Sequence, residues 1–282
     1  MKVVSLFGGI ECGRIALDEL GIHVDKYYSS EIDPYAIKVS SKNYPDIIHL
    51  GDATKWKDWD LNWEEIDVLL AGFPCQAWSI AGTQGGVLDE RGKLLYTMMD
   101  ILNHIRTKNP NIKFLFENVK MKKEFLDLVN ETIGVSPIEI NSRTLTAQNR
   151  PRIYWTNIEG VTIPADQGII LKDILEDEVD EKYNLSDKAV DYMGRLRNGK
   201  PRWEYHKNPL NGKAACLTAN MYKGVPYGVI QELSRKLTPL ECERLQGIKD
   251  GYTEGVSSTQ RYKCIGNGWS VPVIKHILKN LK

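Results

Sequence analysis

The sequence predicts an α/β fold in which a parallel sheet is covered by helices on both faces. Two observations carry this. Short apolar runs alternate with helical patterns along the first two thirds of the chain, and strands separated by helices make βαβ units. The runs are also near-continuously apolar, as in Phe114-Leu115-Phe116, which a strand buried on both faces requires.

Each element has its own signal. Lys2 to Phe7 is an apolar run ending at Gly8-Gly9, hence a strand. Arg14 to Leu20 has a helical pattern closed by Gly21, the usual residue just past a helix end. Val24 to Ile32 reads as a strand and Tyr35 to Asn43 as a helix. Ile47 to Leu50 and Asp67 to Ala71 are short strands. Leu94 to Ile105 is helical, Lys113 to Glu117 a strand, and Lys122 to Ile133 a helix. After about Asn157 the pattern changes. An acidic stretch runs through Asp173, Glu176, Asp177, Glu178, Asp180 and Glu181, and a basic, aromatic, Gly/Asn-rich stretch follows. From about Arg235 the helical pattern returns, ending in Val273 to Leu281. The expected organisation is a main domain of residues 1–158 and 235–282 with a small inserted region, 159–234.

Composition narrows the class. The chain has 282 residues, enough for one large domain with a small satellite. Hydrophobic content of 42% and charged content of 26% are those of a globular protein. No apolar run approaches a membrane span, so no membrane association is expected. Five cysteines form no Cys-x-x-Cys pair, which argues against a disulfide framework or a metal site and for a reducing cytoplasm. Lys plus Arg equal Asp plus Glu at 37 each, excluding a wholly basic coat but not a local basic cleft. Between Lys188 and Lys223, eight Lys/Arg face two acids, with Trp203, Tyr205, His206 and Tyr222 interleaved. Such a run is either a solvated face or a loop-rich surface that grips phosphates and bases.

Four sites carry chemistry. Phe7-Gly8-Gly9-Ile10-Glu11-Cys12-Gly13 follows the first strand, where glycines let backbone approach a ligand. Glu31 ends the second strand and Asp52 follows the third, as acids that hold an adenosine-bearing cofactor do. A tight turn is the plainer alternative for the glycines. Gly72-Phe73-Pro74-Cys75-Gln76 puts a cysteine past another strand, either as a reactive residue of an exposed loop or, as is usual for a cysteine, as a buried small hydrophobe. Glu117-Asn118-Val119 ends a strand in a carboxylate, which caps a turn or does chemistry. Gln148-Asn149-Arg150-Pro151-Arg152 sets two guanidiniums two residues apart, on one face if the segment is extended, suited to a phosphate or carbonyl or to a plain surface pair.

These motifs, with Ser79 and Gly82 after the cysteine loop, Arg235-Lys-Leu-Thr-Pro-Leu-Glu241-Cys-Glu-Arg244-Leu-Gln246 and Gly266-Asn267-Gly-Trp-Ser-Val271, occur in one order along nearly the whole chain. In that combination the chain resembles the cytosine-C5 DNA methyltransferases. The ending Trp269-Ser-Val-Pro-Val-Ile-Lys-His276 is similar to the catalytic domains of animal de novo methyltransferases, whereas Pro-Cys-Gln is the bacterial form. The chain begins at the first motif, so no reader domain is expected before it, and its compactness resembles a bacterial or phage enzyme. Two departures stand out. Ser5 occupies a place where many relatives have Asp, and Glu11-Cys12 replaces small residues in the glycine loop.

The resemblance implies a Rossmann-like, S-adenosylmethionine-dependent methyltransferase fold with a target-recognition region at 159–234. It implies Cys75 as the thiolate that adds to C6 of cytosine, Glu117 at N3, Arg152 at the base carbonyl, Arg150 as support for the pocket or the backbone, and Asn118 as the residue that orients the loop or the cofactor side. For S-adenosylmethionine it implies Phe7, Gly8, Gly9, Gly13, Glu31, Ile32, Asp52, Ala53, Pro74, Leu95, Asn267 and Trp269. For double-stranded DNA it implies Gln76, Ser79, Leu217 and Thr218 at the flipped nucleotide, with Arg195, Arg197, Lys200 and Arg202 for phosphates or bases. No metal is required. A cognate restriction endonuclease is a candidate partner, the expected state is a monomer, and the expected location is the cytoplasm of a bacterial cell or a phage-infected host. A tRNA cytosine-C5 methyltransferase is an alternative, against which Gln76 speaks. A catalytically silent DNA-binding paralogue is another, against which the retained Cys75 and Glu117 speak. A nicotinamide dehydrogenase would account for the glycine loop and Glu31 but not for Cys75, Arg152 or the second half.

Overall fold

The computed structural model describes residues 1–74, 92–205 and 207–281. Cys75, Gln76, Ser79 and Gly82 lie outside the described residues. The chain forms two compact units. One contains 1–140, 151–163 and 273–282, and the other 141–150 and 164–272. The second unit therefore takes in 235–272 and the short segment 141–150, beyond the 159–234 region expected from sequence.

The first unit is built on a seven-stranded sheet. Its strands are β1 (Lys2–Leu6), β2 (Lys26–Ser30), β3 (Ile48–His49), β4 (Val68–Ala71), β5 (Lys113–Asn118), β6 (Ile138–Asn141) and β7 (Pro151–Thr156), in the spatial order β3-β2-β1-β4-β5-β7-β6. Helices α1 (Cys12–Glu19), α2 (Pro34–Asn43), α3 (Leu94–Lys108) and α4 (Lys123–Ile133) connect them. The five strands β3, β2, β1, β4 and β5 are parallel, as the βαβ pattern predicts. Strand β7 departs from that pattern, pairing antiparallel with β5. Apolar runs report burial, not direction, and an antiparallel strand at the end of a parallel sheet is common.

Local chemistry fixes the helix ends. Asp33 accepts from the Tyr35 N–H and Pro34 opens α2, where a missing N–H costs nothing. Gly134 closes α4 in the left-handed region at φ 79°. The core beneath the sheet holds Val4, Leu6, Leu69, Phe73, Leu95, Phe114, Phe116 and Trp155.

The second unit is rich in short elements: α5 (Asp187–Gly194), the hairpin β8 (Leu196–Arg197) with β9 (Lys200–Pro201), the pair β10 (Val229–Ile230) with β11 (Arg235–Lys236), then α6 (Pro239–Gln246) and α7 (Ser258–Asn267). The final helix, α8, spans Val271–Leu278. Helix α6 starts with a capping box, Thr238 and Glu241 each bonding the other's backbone N–H. Glu241 is fully buried and pairs with Arg235 at 2.7 Å. The unit's core contains Ala147, Leu171, Leu217, Met221, Leu237, Leu245 and Ile265.

Candidate active site

Strand register lines up the candidate residues of the first unit. Leu6 pairs with Ser30 and with Ala71, and Ala71 with Phe116. Phe7, Glu31 and Gly72 therefore leave the sheet at the same carboxyl edge, level with Glu117, the last residue but one of β5. That is where open α/β sheets bind ligands.

At one place on this edge stands a carboxylate–guanidinium pair. Arg152 Nε lies 2.8 Å from Glu117 Oε1, and both side chains are about nine-tenths buried. The pair follows from the β5–β7 register. Glu117 opposes Tyr154, so Arg152, two residues before Tyr154, is its diagonal neighbour on the same face. Arg152 Nη1 also donates to its neighbour's carbonyl, Pro151 O, at 2.9 Å, which fixes the fork. The next residue, Asn118, is buried. Its Nδ2 donates to Phe73 O at 3.0 Å, and its Oδ1 accepts from Val119 N at 2.8 Å. Asn118 thus ties the chain two residues before Cys75 to the end of β5.

Further along the edge, Phe7, Gly9 and Glu11 all take left-handed backbone angles, at φ 57°, 58° and 59°. Phe7 N donates to Ser30 O at 2.7 Å, joining the turn to β2. Gly9 N donates to Glu31 Oε2 at 2.8 Å, and Glu31 Oε1 accepts from Ile32 N and Asp33 N. Beside this carboxylate Ile32 is 71% exposed, an apolar ledge of the kind an adenine ring covers. Asp52 Oδ1 accepts from Thr54 N and Oγ1, which leaves its other oxygen clear of those bonds. Ala53, next to it, is buried. Two acids on either side of an apolar ledge could hold an adenosyl group. Leu95 is fully buried in the core of the unit, and Pro74 is half-buried where the described chain ends.

Glu11 is fully buried, and its side chain turns into the sheet rather than toward the edge. Its Oε2 accepts from Ser5 Oγ and from the Tyr27 hydroxyl, both at 2.9 Å, and Oε1 accepts from Ser29 Oγ. Burial pushes its carboxyl up from 4.5 to about 7, against the pull of the three hydroxyls.

In the second unit, Arg150 is buried. Its guanidinium donates to Leu217 O at 2.7 Å, Gly266 O at 3.1 Å and Gly268 O at 2.8 Å. Arg150 and Arg152 thus hold different partners, Arg150 the carbonyls of this unit and Arg152 the Glu117 carboxylate. Strand β7 begins at Pro151, so the alternation of a strand does not reach Arg150. Gln148 accepts from Leu217 N and donates to Leu245 O and Gln246 Oε1. Gln246 in turn donates to Ile265 O and Gly268 O. The motifs that contain these two buried amides give neither of them a role, because a glutamine in a polar segment carries no periodic signal. Gly266 is held tightly, since a Cβ there would come within 2.3 Å of the Thr218 backbone. Asn267 and Thr218 are exposed, Trp269 is half-buried and Leu217 is buried.

Arg195, Arg197 and Lys200 are exposed, and Arg202 is half-buried. Arg197 and Lys200 flank the hairpin turn Asn198-Gly199, whose residues have φ 48° and 75° as a tight two-residue turn needs. Arg195 pairs with Asp191 at 2.6 Å, and the Arg202 guanidinium lies 4.5 Å from the centre of the Tyr192 ring. Among the described residues, no group of three or more His, Cys, Asp or Glu could hold a metal ion, and no helix is long and apolar enough to cross a membrane.

Comparison with known proteins bears on these residues as a set. The family profile described as C-5 cytosine-specific DNA methylase matches residues 1–133 and 142–282. The type II methyltransferase M1.ScrFI of Lactococcus lactis subsp. cremoris is 34% identical, with 99% of this chain and 77% of that protein covered. The type II methyltransferase M.HpaII of Haemophilus parainfluenzae is also 34% identical, with 99% and 89% covered. In fold, the chain is similar to the Entamoeba histolytica methyltransferase EhMeth, with a TM-score of 0.72 at 16% identity, covering 100% of this chain and 97% of that one. The chain thus belongs to the C-5 cytosine-specific DNA methylase family.

Proposed function

We propose that the protein transfers a methyl group from S-adenosylmethionine to C5 of a cytosine flipped out of duplex DNA, through a transient bond between the Cys75 sulfur and C6. The observation that supports this most is the Arg152–Glu117 pair at the sheet edge, next to the loop that Asn118 holds at Phe73. A carbonyl oxygen and a ring nitrogen are neighbours on cytosine, at O2 and N3. A guanidinium and a carboxyl side by side match them, Arg152 donating to O2 and Glu117 holding the proton at N3.

C5 of cytosine is a weak nucleophile. The Cys75 thiolate attacks C6, forming the sulfur–carbon bond, while Glu117 and Arg152 take up the charge that develops on N3 and O2. The electron pair then available at C5 forms the new carbon–carbon bond to the donor's methyl group, whose bond to sulfur would break with its electrons left on sulfur as a neutral thioether. Loss of the C5 proton to a base returns electrons to the ring, the sulfur–C6 bond breaks, and Cys75 leaves as thiolate. S-adenosylmethionine, when bound, supplies a methyl group activated by a sulfonium charge. Glu31, Ile32, Asp52 and the Phe7–Gly13 turn would hold its adenosyl part. Because a duplex hides C6, the base must be extruded. The target-recognition role falls to 159–234, with Arg195, Arg197, Lys200 and Arg202 on the DNA and Leu217-Thr218 near the flipped nucleotide. The enzyme acts as a monomer where the DNA is, in the cytoplasm of a bacterial cell or an infected host. A cognate endonuclease for the same site is the partner that the type II naming of its relatives supports.

A duplex carrying 5-fluorocytosine tests the covalent step, because fluorine cannot leave C5 as a proton does. The expected result is a denaturation-resistant protein–DNA adduct that needs S-adenosylmethionine and is absent in Cys75→Ser. An adduct formed at the wild-type rate by Cys75→Ser would overturn the nucleophile. Methyl transfer to tRNA and none to DNA would overturn the substrate.

A further inference from the structure

Glu11 has no task in the chemistry above, yet its placement is expensive. A carboxyl with no solvent exposure is costly to desolvate, and a junction that needed only filled space would be served by an apolar side chain. Glu11 is also a non-glycine residue at φ 59°, ψ 48°, a conformation that an L-residue adopts only at a cost. Such a residue persists where its surroundings over-determine it. Here they do, through Ser5 on β1 and through Tyr27 and Ser29 on β2. Although Glu11 stands at the N-cap of α1, its side chain makes no capping bond. It anchors to the sheet instead.

That anchor lies directly beneath the glycine turn. Glu11 N donates to Gly8 O at 2.9 Å, closing the turn. A Cβ on Gly8 would fall 2.0 Å from Glu11 Oε1, so the carboxyl and the missing side chain at Gly8 fit one another. The next residue, Gly9, gives its N–H to Glu31. One continuous path therefore runs from the buried hydroxyls through Glu11 and the turn to the Glu31 carboxylate.

We propose that Glu11 is a positioning residue for the methyl donor: bolted to Ser5, Tyr27 and Ser29, it holds the Phe7–Gly13 turn in the shape that aims Glu31 at the donor's ribose. This rests on the reading of that edge as the S-adenosylmethionine site. Calorimetric titration of the full-length protein with S-adenosylmethionine tests it, using wild type, Glu11→Gln, Glu11→Ala and Tyr27→Phe. The donor Kd should rise about tenfold or more in Glu11→Ala and about three- to fivefold in Tyr27→Phe, which removes a single hydroxyl. Glu11→Gln keeps the size and one acceptor, and should restore part of the loss. In steady-state methylation the loss should fall on KM for the donor, with KM for DNA at the wild-type value, a split that a merely structural role would not produce. Unchanged donor Kd in Glu11→Ala and Tyr27→Phe would overturn the proposal, as would equal rises in both KM values. If Glu11→Ala does not fold, Tyr27→Phe and Ser29→Ala decide the matter by the same criteria. A wild type that fails to bind S-adenosylmethionine, or a Glu31→Ala variant that binds it as well as wild type, would instead remove the donor-site reading itself.

Discussion

Glu117 and Arg152 are 35 positions apart in the sequence numbering yet meet at 2.8 Å because β7 runs antiparallel to β5. Glu117→Gln keeps the shape and loses the acid. The 5-fluorocytosine adduct should then form about 10²–10⁴ times more slowly, the usual worth of general acid catalysis, with DNA affinity close to wild type. Quenched-flow trapping on gels reads the rate, and a wild-type rate would remove Glu117 from the chemistry. Glu11 gives a second prediction at this scale, on stability. Its folded carboxyl sits at about 7 against an ordinary 4.5, so the native state binds the proton more tightly than the unfolded chain. The stabilisation is complete below about 4.5 and is lost as pH rises through about 7, a total on the order of 3 kcal/mol. Urea midpoints between pH 5 and 8 should fall less steeply in Glu11→Gln than in wild type, and identical slopes would contradict the assignment. Glu117 and Arg152 were legible in the sequence because each sits in a short motif. Glu11 was legible only as an oddity in a glycine loop. Its direction, inward onto three hydroxyls, depends on strands β1 and β2 being neighbours, and no local pattern reports that.

Strands β1, β2, β4 and β5 and helices α1 to α4 fall within a few residues of the positions their apolar patterns predict. Long elements with one buried stripe announce themselves. The pair β6 and β7 does not, because a strand of four residues with alternating exposure, Ile138–Asn141, resembles a loop. The second unit is harder still. Its many two-residue strands and single-turn 3₁₀ helices are held by side chains that bond backbone, such as Gln148, Arg150 and Gln246. Such bonds join positions far apart and leave no period. One consequence is testable at α7. Gly266→Ala would force a Cβ into the Thr218 carbonyl carbon and oxygen, at 2.3 Å, where backbone must give way. The expected loss is about 1–3 kcal/mol, as for other overpacked sites, measured as a lower urea midpoint with an unchanged slope. An unaltered midpoint would mean that the Thr218 segment moves without cost.

The whole chain carries no net charge, but eight basic residues against two acidic ones lie between Lys188 and Lys223. Affinity for duplex DNA should therefore fall steeply with salt, log Kd changing by about 0.9 per neutralised phosphate for each tenfold change in salt. Arg197→Ala and Lys200→Ala, at the hairpin turn, should each lower that slope by about 1 if the residue meets a phosphate, and should relax sequence preference without that change if it meets a base. Fluorescence anisotropy across a salt series separates the two, and a flat dependence in wild type would remove the basic stretch from the interface. The segment 141–150 also has a bearing on the exchange of parts between relatives. It is inserted between two strands of the sheet but belongs to the compact unit formed by 164–272, where Gln148 and Arg150 hold the Leu217 backbone. A chimera that exchanged only 164–272 for the corresponding part of a relative would leave both residues facing foreign carbonyls. The compact unit should keep its stability in such a chimera only when the ten residues of 141–150 travel with the larger piece, as two stretches of chain and not one.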